Sequence, residues 1–135
     1  MTAVLVDANV VLDIMTQDER WFDWSANALA QAADHHRLVV NPIIYAEVSI
    51  RYSRIEDFDA ALPRAALDRE PLPFEAAFLA GKAFLTRRRG GAKGSPLHDF
   101  VIGAHAAVAG YSLLTRDAAR YRTYFPNLSI IAPEG

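Results

Sequence analysis

The sequence predicts an α/β fold in which about four to five short parallel strands form a central sheet with helices on both faces. Short apolar segments at 3–6, 38–40, 112–114 and 128–131 alternate along the chain with longer segments of helical character. The first of them, Ala-Val-Leu-Val, is too apolar for a strand with one face in water. Such strands are typical of parallel sheets that are covered on both sides.

Length and composition indicate one globular domain over residues 1–135. The chain is 52% hydrophobic and 22% charged, which is typical of a folded domain. It contains no cysteine, which excludes disulfides, zinc fingers and thiol nucleophiles and favours a reducing cytoplasm. Fourteen basic and sixteen acidic residues give a net charge of −2, so any basic surface must be local.

The N-terminus predicts neither a signal peptide nor a membrane anchor. No basic residue precedes the first apolar segment, which meets Asp7 at once. No apolar stretch approaches the roughly 18 residues of a membrane span. We therefore expect a cytoplasmic protein without a membrane partner.

The first half of the chain predicts helices over 9–15, 21–35, 42–50 and 56–67. Asn41 and Pro42 mark the start of the third helix, with Asn41 as its N-cap and Pro42 at the first helical position. The fourth is predicted as a helix despite Pro63 near its end. The second half predicts extended chain over 71–73, helices over 74–88, 96–109 and 117–124, and a loop over 87–96.

Four acidic residues are placed to meet at one edge of the predicted sheet. Asp7 ends the first strand, and Asp117 follows the strand over 112–114. Glu47 lies early in one helix and Asp99 in the first turn of another, and helices of this architecture begin at the carboxyl edge of the strands. The sequence therefore predicts that four carboxylates from distant segments converge.

Converging carboxylates repel each other, and a divalent cation removes the repulsion. Oxygen ligands suit Mg²⁺ or Mn²⁺, so Asp7 is expected to pair with such an ion. Each residue also has a structural alternative. Asp7 or Asp117 can cap the helix that follows, Asp99 can favour the helix dipole, and Glu47 can point to solvent.

Four motifs together resemble the PIN domain, and specifically the VapC-type toxins of bacterial toxin–antitoxin pairs. They are VLVDANVVLDI, NPIIYAEV, PLHDFVIGAHAAVAGYSLLTRDAARYRTYFP and LSIIAP, which extend over nearly the whole chain. The third is the most specific, because it joins Asp99 to a Thr-Arg-Asp sequence eighteen residues later.

The resemblance implies a metal-dependent endoribonuclease that uses Mg²⁺ or Mn²⁺. The acidic quartet that holds the ion is Asp7, Glu47, Asp99 and Asp117. The polar residues that support it are Asn9 and Thr115. Asp7 and Asp99 are the expected direct ligands, Asp117 binds through water or orients the nucleophile, and Glu47 acts as general base or holds a second metal. The expected partners are a cognate antitoxin, whose C-terminal segment occupies the groove, and a second copy of the chain.

Local basic residues must attract RNA to an acidic site. The candidate RNA-binding residues are Arg87, Arg88, Arg89, Lys93 and Arg116. A solvated loop is the alternative for the run over 87–93. Arg120 also lies beside Asp117. His98 either bonds a ligand or phosphate or is a partly exposed residue at a helix start.

Two other functions remain open from the residues. One is a Mg²⁺-dependent phosphatase or phosphotransfer enzyme on a related α/β fold, although Asp7-Ala8-Asn9 lacks the second aspartate of the haloacid-dehalogenase-like enzymes. The other is a PIN-like binding module without catalytic activity.

Overall fold

The structure is a computed structural model that describes residues 2–62, 66–89 and 97–134, with the backbone alone for 87–89. Within these residues it contains five strands and seven helices. The strands are β1 (Ala3–Val6), β2 (Arg37–Val40), β3 (Asp68–Arg69), β4 (Ser112–Leu114) and β5 (Ile130–Ile131). The helices are α1 (Ala8–Met15), α2 (Phe22–His35), α3 (Pro42–Ser49), α4 (Ile55–Ala61), α5 (Phe74–Arg89), α6 (Leu97–Ala109) and α7 (Ala118–Arg122).

The strands form one parallel sheet in the order β3-β2-β1-β4-β5, which confirms the predicted α/β class. β1 is central, with Leu5 in register with Val39 of β2 on one side and Leu113 of β4 on the other. The chain builds the sheet outward from β1 to β3 and then returns to the other side for β4 and β5. In open parallel sheets, ligands bind at the carboxyl edge where the strand order reverses in this way.

Both faces of the central strand are covered. All four residues of β1 are buried, and successive side chains of a strand point to opposite faces. The main core joins β1, β2 and β4 to side chains of α1, α3 and α6, and a second cluster lies between α5 and α6. In that cluster the rings of Phe84 and Phe100 pack edge to face, with centroids 5.7 Å apart.

A buried polar contact links α3 to α6. Asn41 caps α3 as predicted, because its Oδ1 accepts a hydrogen bond from the amide of Ile44 at 2.9 Å. Its Nδ2 lies 2.9 Å from Nδ1 of His105 in α6. Burial lowers the pKa of His105, which favours the neutral ring that accepts this hydrogen bond. The contact joins the two helices that carry Glu47 and Asp99.

The predicted helix over 56–67 is wrong in its second half. α4 ends at Ala61, and Leu62 has an extended backbone with φ −76° and ψ 123°. Leu62 precedes Pro63, and a proline ring disfavours the helical conformation in the residue before it. Residues 63–65 lie outside the described residues.

Other element boundaries differ by a few residues. β3 carries no apolar signal, because Asp68 and Arg69 are exposed and only backbone pairing with β2 makes them a strand. β5 is shorter than the predicted segment 128–131, since only Ile130 and Ile131 pair with β4. α5 continues to Arg89, so the described part of the predicted 87–96 loop is helical, and 90–96 lie outside the description. Among the described residues, no helix has the length and apolar character to cross a membrane.

Candidate functional site

Asp7 lies directly after β1, and its carboxylate is surrounded by donors. It caps α1, with Oδ1 accepting the amide hydrogen of Ala8 at 2.7 Å. Oδ2 accepts hydrogen bonds from the hydroxyls of Thr115 at 2.9 Å and Tyr121 at 2.8 Å. The capping alternative is therefore present in the structure. A carboxylate accepts about four hydrogen bonds, so three donors leave room for a ligand on Oδ1.

Thr115 connects Asp7 to the segment that carries Asp117. Its side chain is fully buried, and its hydroxyl accepts hydrogen bonds from Nδ2 of Asn9 at 3.2 Å and from the amide of Asp117 at 3.1 Å. Oδ1 of Asn9 accepts the amide hydrogen of Arg116 at 3.2 Å. The two predicted supporting residues thus link the end of β1 to the end of β4.

Glu47 and Asp99 extend from two helices and are only partly satisfied. Asp99 lies in the first turn of α6 and is 3% exposed. Glu47 lies in α3 and is not directed fully into solvent, since one of its oxygens is buried. Within the described part of the chain, Oε1 of Glu47 and Oδ2 of Asp99 are buried without a hydrogen-bond partner. Such atoms are rare in folded proteins and indicate a missing ligand, water or ion.

The side chains of His98 and Arg120 stand between the carboxylates. Nε2 of His98 lies 3.4 Å from Oε2 of Glu47 and 3.5 Å from Oδ1 of Asp99. Nη1 of Arg120 lies 3.3 Å from Oδ1 of Asp99, and its Nη2 lies 2.8 Å from Oδ2 of Asp117. Asp117 occupies the N-cap position of α7, but its side chain pairs with Arg120 and makes no capping hydrogen bond among the described residues.

Burial and mutual repulsion disfavour the charged forms of two carboxyl groups. Burial raises the pKa of Glu47, His98 and Arg120 lower it, and Asp7 and Asp99 raise it further. Burial also raises the pKa of Asp99, against the lowering effect of Arg120 and His98. Asp7, Glu47 and Asp99 therefore lie close enough for their charges to repel one another.

The arrangement fits a hard cation by its chemistry. The four acids offer only oxygen donors, which Mg²⁺ and Mn²⁺ prefer, and two of those oxygens are buried and unsatisfied among the described residues. In residues 2–62, 66–89 and 97–134, no group of three or more His, Asp or Glu side chains is arranged to hold a metal as it stands. Arg120 and His98 both lie against the carboxylate of Asp99.

Asp13 is a buried acidic residue that sequence reasoning missed. It is 3% exposed, and Arg116 binds it in a bidentate manner, with Nε 2.6 Å from Oδ2 and Nη2 3.0 Å from Oδ1. The hydroxyl of Ser25 donates to the same Oδ2 at 2.7 Å. The sequence contained a signal for this residue, because Asp13 lies one helical turn after Asn9 and within an apolar run.

The predicted RNA-binding residues are only partly described. The side chains of Arg87, Arg88 and Arg89, together with Lys93, lie outside the described residues. The guanidinium of Arg116 pairs with Asp13 and lies 5.1 Å from the ring centre of Trp21. Its role toward RNA stays a prediction, and its contacts fix the segment that precedes Asp117.

Tyr121 is a second residue that the sequence did not single out. It is a fully buried residue of α7, one turn after Asp117. Burial and the nearby charge of Asp7 raise the pKa of its hydroxyl, which therefore stays a hydrogen-bond donor. Tyr121 belongs to the site because of its tertiary hydrogen bond to Asp7.

A family comparison agrees with the fold and with the motifs. The model of the PIN domain matches residues 4–126. The chain belongs to the PIN domain family. A search of curated proteins gives no significant sequence match.

Solved structures share the PIN fold over almost the full chain. VapBC2 from Rickettsia felis, bound to a promoter DNA fragment, is 17% identical with a TM-score of 0.76 and covers 97% of this chain and 98% of its own. VapBC-1 from nontypeable Haemophilus influenzae is 17% identical with a TM-score of 0.74 and the same coverage. A toxin–antitoxin complex from Klebsiella pneumoniae is 18% identical with a TM-score of 0.65 and covers 98% of both chains. At this identity, the likeness concerns the fold.

Proposed function

We propose that this PIN domain is a metal-dependent endoribonuclease and the toxin of a bacterial type II toxin–antitoxin pair. The observation that carries the proposal is the pair of buried oxygens, Glu47 Oε1 and Asp99 Oδ2, that lack a partner within the described residues. Leaving a buried polar atom unsatisfied costs free energy, and a divalent cation removes that cost. The residues that would hold Mg²⁺ or Mn²⁺ are Asp7, Glu47, Asp99 and Asp117.

The proposed chemistry is hydrolysis of a phosphodiester bond. When bound, a divalent ion stabilises charge on the phosphate and makes an attacking water easier to deprotonate. Glu47 is suited to take that proton, because burial raises its pKa and so makes its carboxylate a stronger base. Thr115 and Tyr121 hold the carboxylate of Asp7 in one orientation.

The proposal that RNA is the substrate rests on the resemblance of the motifs to VapC-type toxins. The cytoplasm is the proposed place of action, in keeping with a chain that contains no cysteine. Membership of the PIN family makes an enzyme of another Asp-and-Mg²⁺ family the weaker interpretation.

The proposed partners are a cognate antitoxin and a second copy of the chain. Several structures with this fold are VapBC or toxin–antitoxin complexes, which supports the first. Phe74 and Phe78 lie one turn apart on α5 with 89% and 68% of their surfaces exposed, and exposed aromatic side chains of this kind support an interface. Light scattering of the purified chain, alone and after co-expression with a neighbouring antitoxin gene, measures both associations.

The decisive experiment is RNA cleavage by the purified full chain in Mn²⁺, with EDTA as the first control. Asp99→Asn keeps the shape of the side chain and removes its charge, so we expect cleavage to fall at least about a hundredfold. Asp34→Asn is the matched control, since Asp34 is an exposed aspartate of α2, and we expect full activity.

Three outcomes contradict parts of the proposal. Cleavage that survives in Asp99→Asn or in EDTA places the activity elsewhere. Hydrolysis of a small phosphomonoester without RNA cleavage supports a phosphatase. Absence of both Mn²⁺ binding and cleavage supports a binding module that has lost activity.

A further inference from the structure

The guanidinium of Arg120 lies between carboxylates that come from different elements. One nitrogen contacts Asp99 of α6 at 3.3 Å, and another contacts Asp117, which precedes α7, at 2.8 Å. The contact with Asp117 is local, three residues along the chain. The contact with Asp99 spans 21 residues and crosses the site. A single side chain therefore bridges the gap that a shared cation has to fill.

The charge of Arg120 interacts with all four acids of the site. Burial lowers the pKa of Arg120, but Asp99, Asp117, Tyr121 and Asp7 together outweigh that effect and raise it. Burial raises the pKa of Glu47, and the charge of Arg120 is among the influences that lower it. The guanidinium is thus a counter-ion of the whole quartet.

We infer that Arg120 is an internal competitor of the divalent cation, so that the ion binds to the quartet only when the guanidinium leaves Asp99. The inference rests on the proposed function, because it requires a cation at this site. It adds a residue that sets how much free cation is needed to fill the site.

The geometry allows Arg120 to leave. Its side chain is 38% exposed, so the guanidinium can turn toward solvent and leave Asp117, which is 50% exposed, at the site. Asp99 cannot follow, because its side chain is only 4% exposed. Once the guanidinium has turned away, Oδ1 of Asp99 keeps only its 3.5 Å contact with His98 and can join Oδ2, which has no partner among the described residues.

Charge decides which ions displace the guanidinium. A monovalent ion brings no more charge than Arg120 already supplies, so it gains little from the exchange. A divalent ion brings twice that charge into a partly buried site, where Coulomb interactions are stronger than in water. Competition by Arg120 therefore favours occupancy by divalent ions over occupancy by Na⁺ or K⁺.

The test is calorimetric titration of the full chain with Mn²⁺ at low ionic strength and constant pH. Arg120→Gln removes the competing charge, and we expect its Kd for Mn²⁺ to fall roughly tenfold, a difference of about 1.4 kcal/mol. Arg120→Lys keeps the positive charge but lacks the forked guanidinium that contacts two carboxylates. Its Kd for Mn²⁺ should therefore lie between those of wild type and Arg120→Gln. Arg122→Gln removes a charge from an exposed residue of the same helix and should match wild type within about twofold.

Thermal unfolding supplies a readout that does not depend on activity. In EDTA, Arg120→Gln should remain folded, and added Mn²⁺ should raise its Tm by more than it raises that of wild type. An Arg120→Gln variant that binds Mn²⁺ with unchanged or weaker affinity overturns the inference and leaves the proposed function standing. Absence of Mn²⁺ binding by wild type and by all variants overturns both, whereas binding by Arg120→Gln alone supports the competition.

Discussion

The candidate site has two halves that differ in how their carboxylates are satisfied. One half, called the strand half because Asp7 ends β1, also contains Asp13 of the following helix α1, and each of these two carboxylates accepts three hydrogen bonds. In the helix half, formed by Glu47 and Asp99, each carboxylate keeps one buried oxygen without a partner among the described residues. The two halves interact through Asp7, whose charge raises the pKa of both Glu47 and Asp99.

This difference indicates that one half stabilises the fold and the other is arranged to receive a ligand. A saturated carboxylate stabilises the fold and keeps a fixed orientation, whereas an unsatisfied buried carboxylate destabilises the fold until it receives a ligand. Substitutions in the strand half should therefore cost stability, and at Asp7 they should cost function as well. Substitutions in the helix half should cost function and leave stability unchanged or improved.

The largest loss of stability is expected from Arg116→Met. It leaves the charge of Asp13 buried with only Ser25 as a side-chain donor, and breaking a buried ion pair from one side costs about 3 kcal/mol or more. Urea denaturation measures the free energy of unfolding. Arg122→Met is the matched control, with an expected change within about 0.5 kcal/mol. Equal stability of Arg116→Met and wild type would show that the strand half is not held together by this pair.

A smaller loss is expected from Tyr121→Phe. The change removes one hydroxyl that donates to the buried carboxylate of Asp7, and a hydrogen bond to a charged group contributes about 2 kcal/mol. The control is Tyr124→Phe, since the ring of Tyr124 packs on Phe100 of the second cluster. If denaturation finds the two variants equally stable, Asp7 does not depend on Tyr121.

The opposite sign is expected in the helix half for Glu47→Gln. Burial and repulsion raise the pKa of Glu47 above its ordinary value of 4.5, so its charge opposes folding. In EDTA at neutral pH, the variant should gain roughly 0.5–1 kcal/mol while RNA cleavage is lost. A clear loss of stability would mean that the contact with His98 outweighs the burial of Glu47.

The same variant changes how stability depends on pH. Because the folded pKa of Glu47 is raised, the unfolded chain releases this proton first, and the free energy of unfolding falls as the pH rises from 4.5 through the raised pKa. Glu47→Gln should reduce that decline in EDTA. Asp99 keeps its own contribution of the same sign, because burial raises its pKa as well. Parallel curves for the two proteins would contradict the assignment.

The smallest effect on stability is expected from Asp117→Asn, because Asp117 is the most exposed acid of the site. Its ion pair with Arg120 is half exposed, and such pairs contribute less than about 0.5 kcal/mol. Cleavage should nevertheless fall at least about tenfold if Asp117 orients the nucleophile. Calorimetry and an RNA cleavage assay on the same sample separate the two effects, and intact cleavage would remove Asp117 from the proposed quartet.

The sequence predicted the elements whose signals are local. Asn41-Pro42 marked the start of α3, and the apolar runs located β1, β2 and β4. The end of α4 was also signalled locally, because Pro63 directly follows Leu62, but the predicted helix continued past it. β3 had no local signal, and it is a strand because Val39 and Val40 offer it a backbone edge.

By itself, the sequence determined the parallel sheet and the positions of Asp7 and Asp117 at its carboxyl edge, because alternating strands and helices allow few topologies. Only the tertiary structure decided which oxygens are satisfied. The two side-chain donors to Asp7 lie 108 and 114 residues away, and Arg116 lies 103 residues from Asp13. A hydrogen bond or ion pair depends on separations of a few ångströms, and no spacing along the chain specifies that distance between segments so far apart.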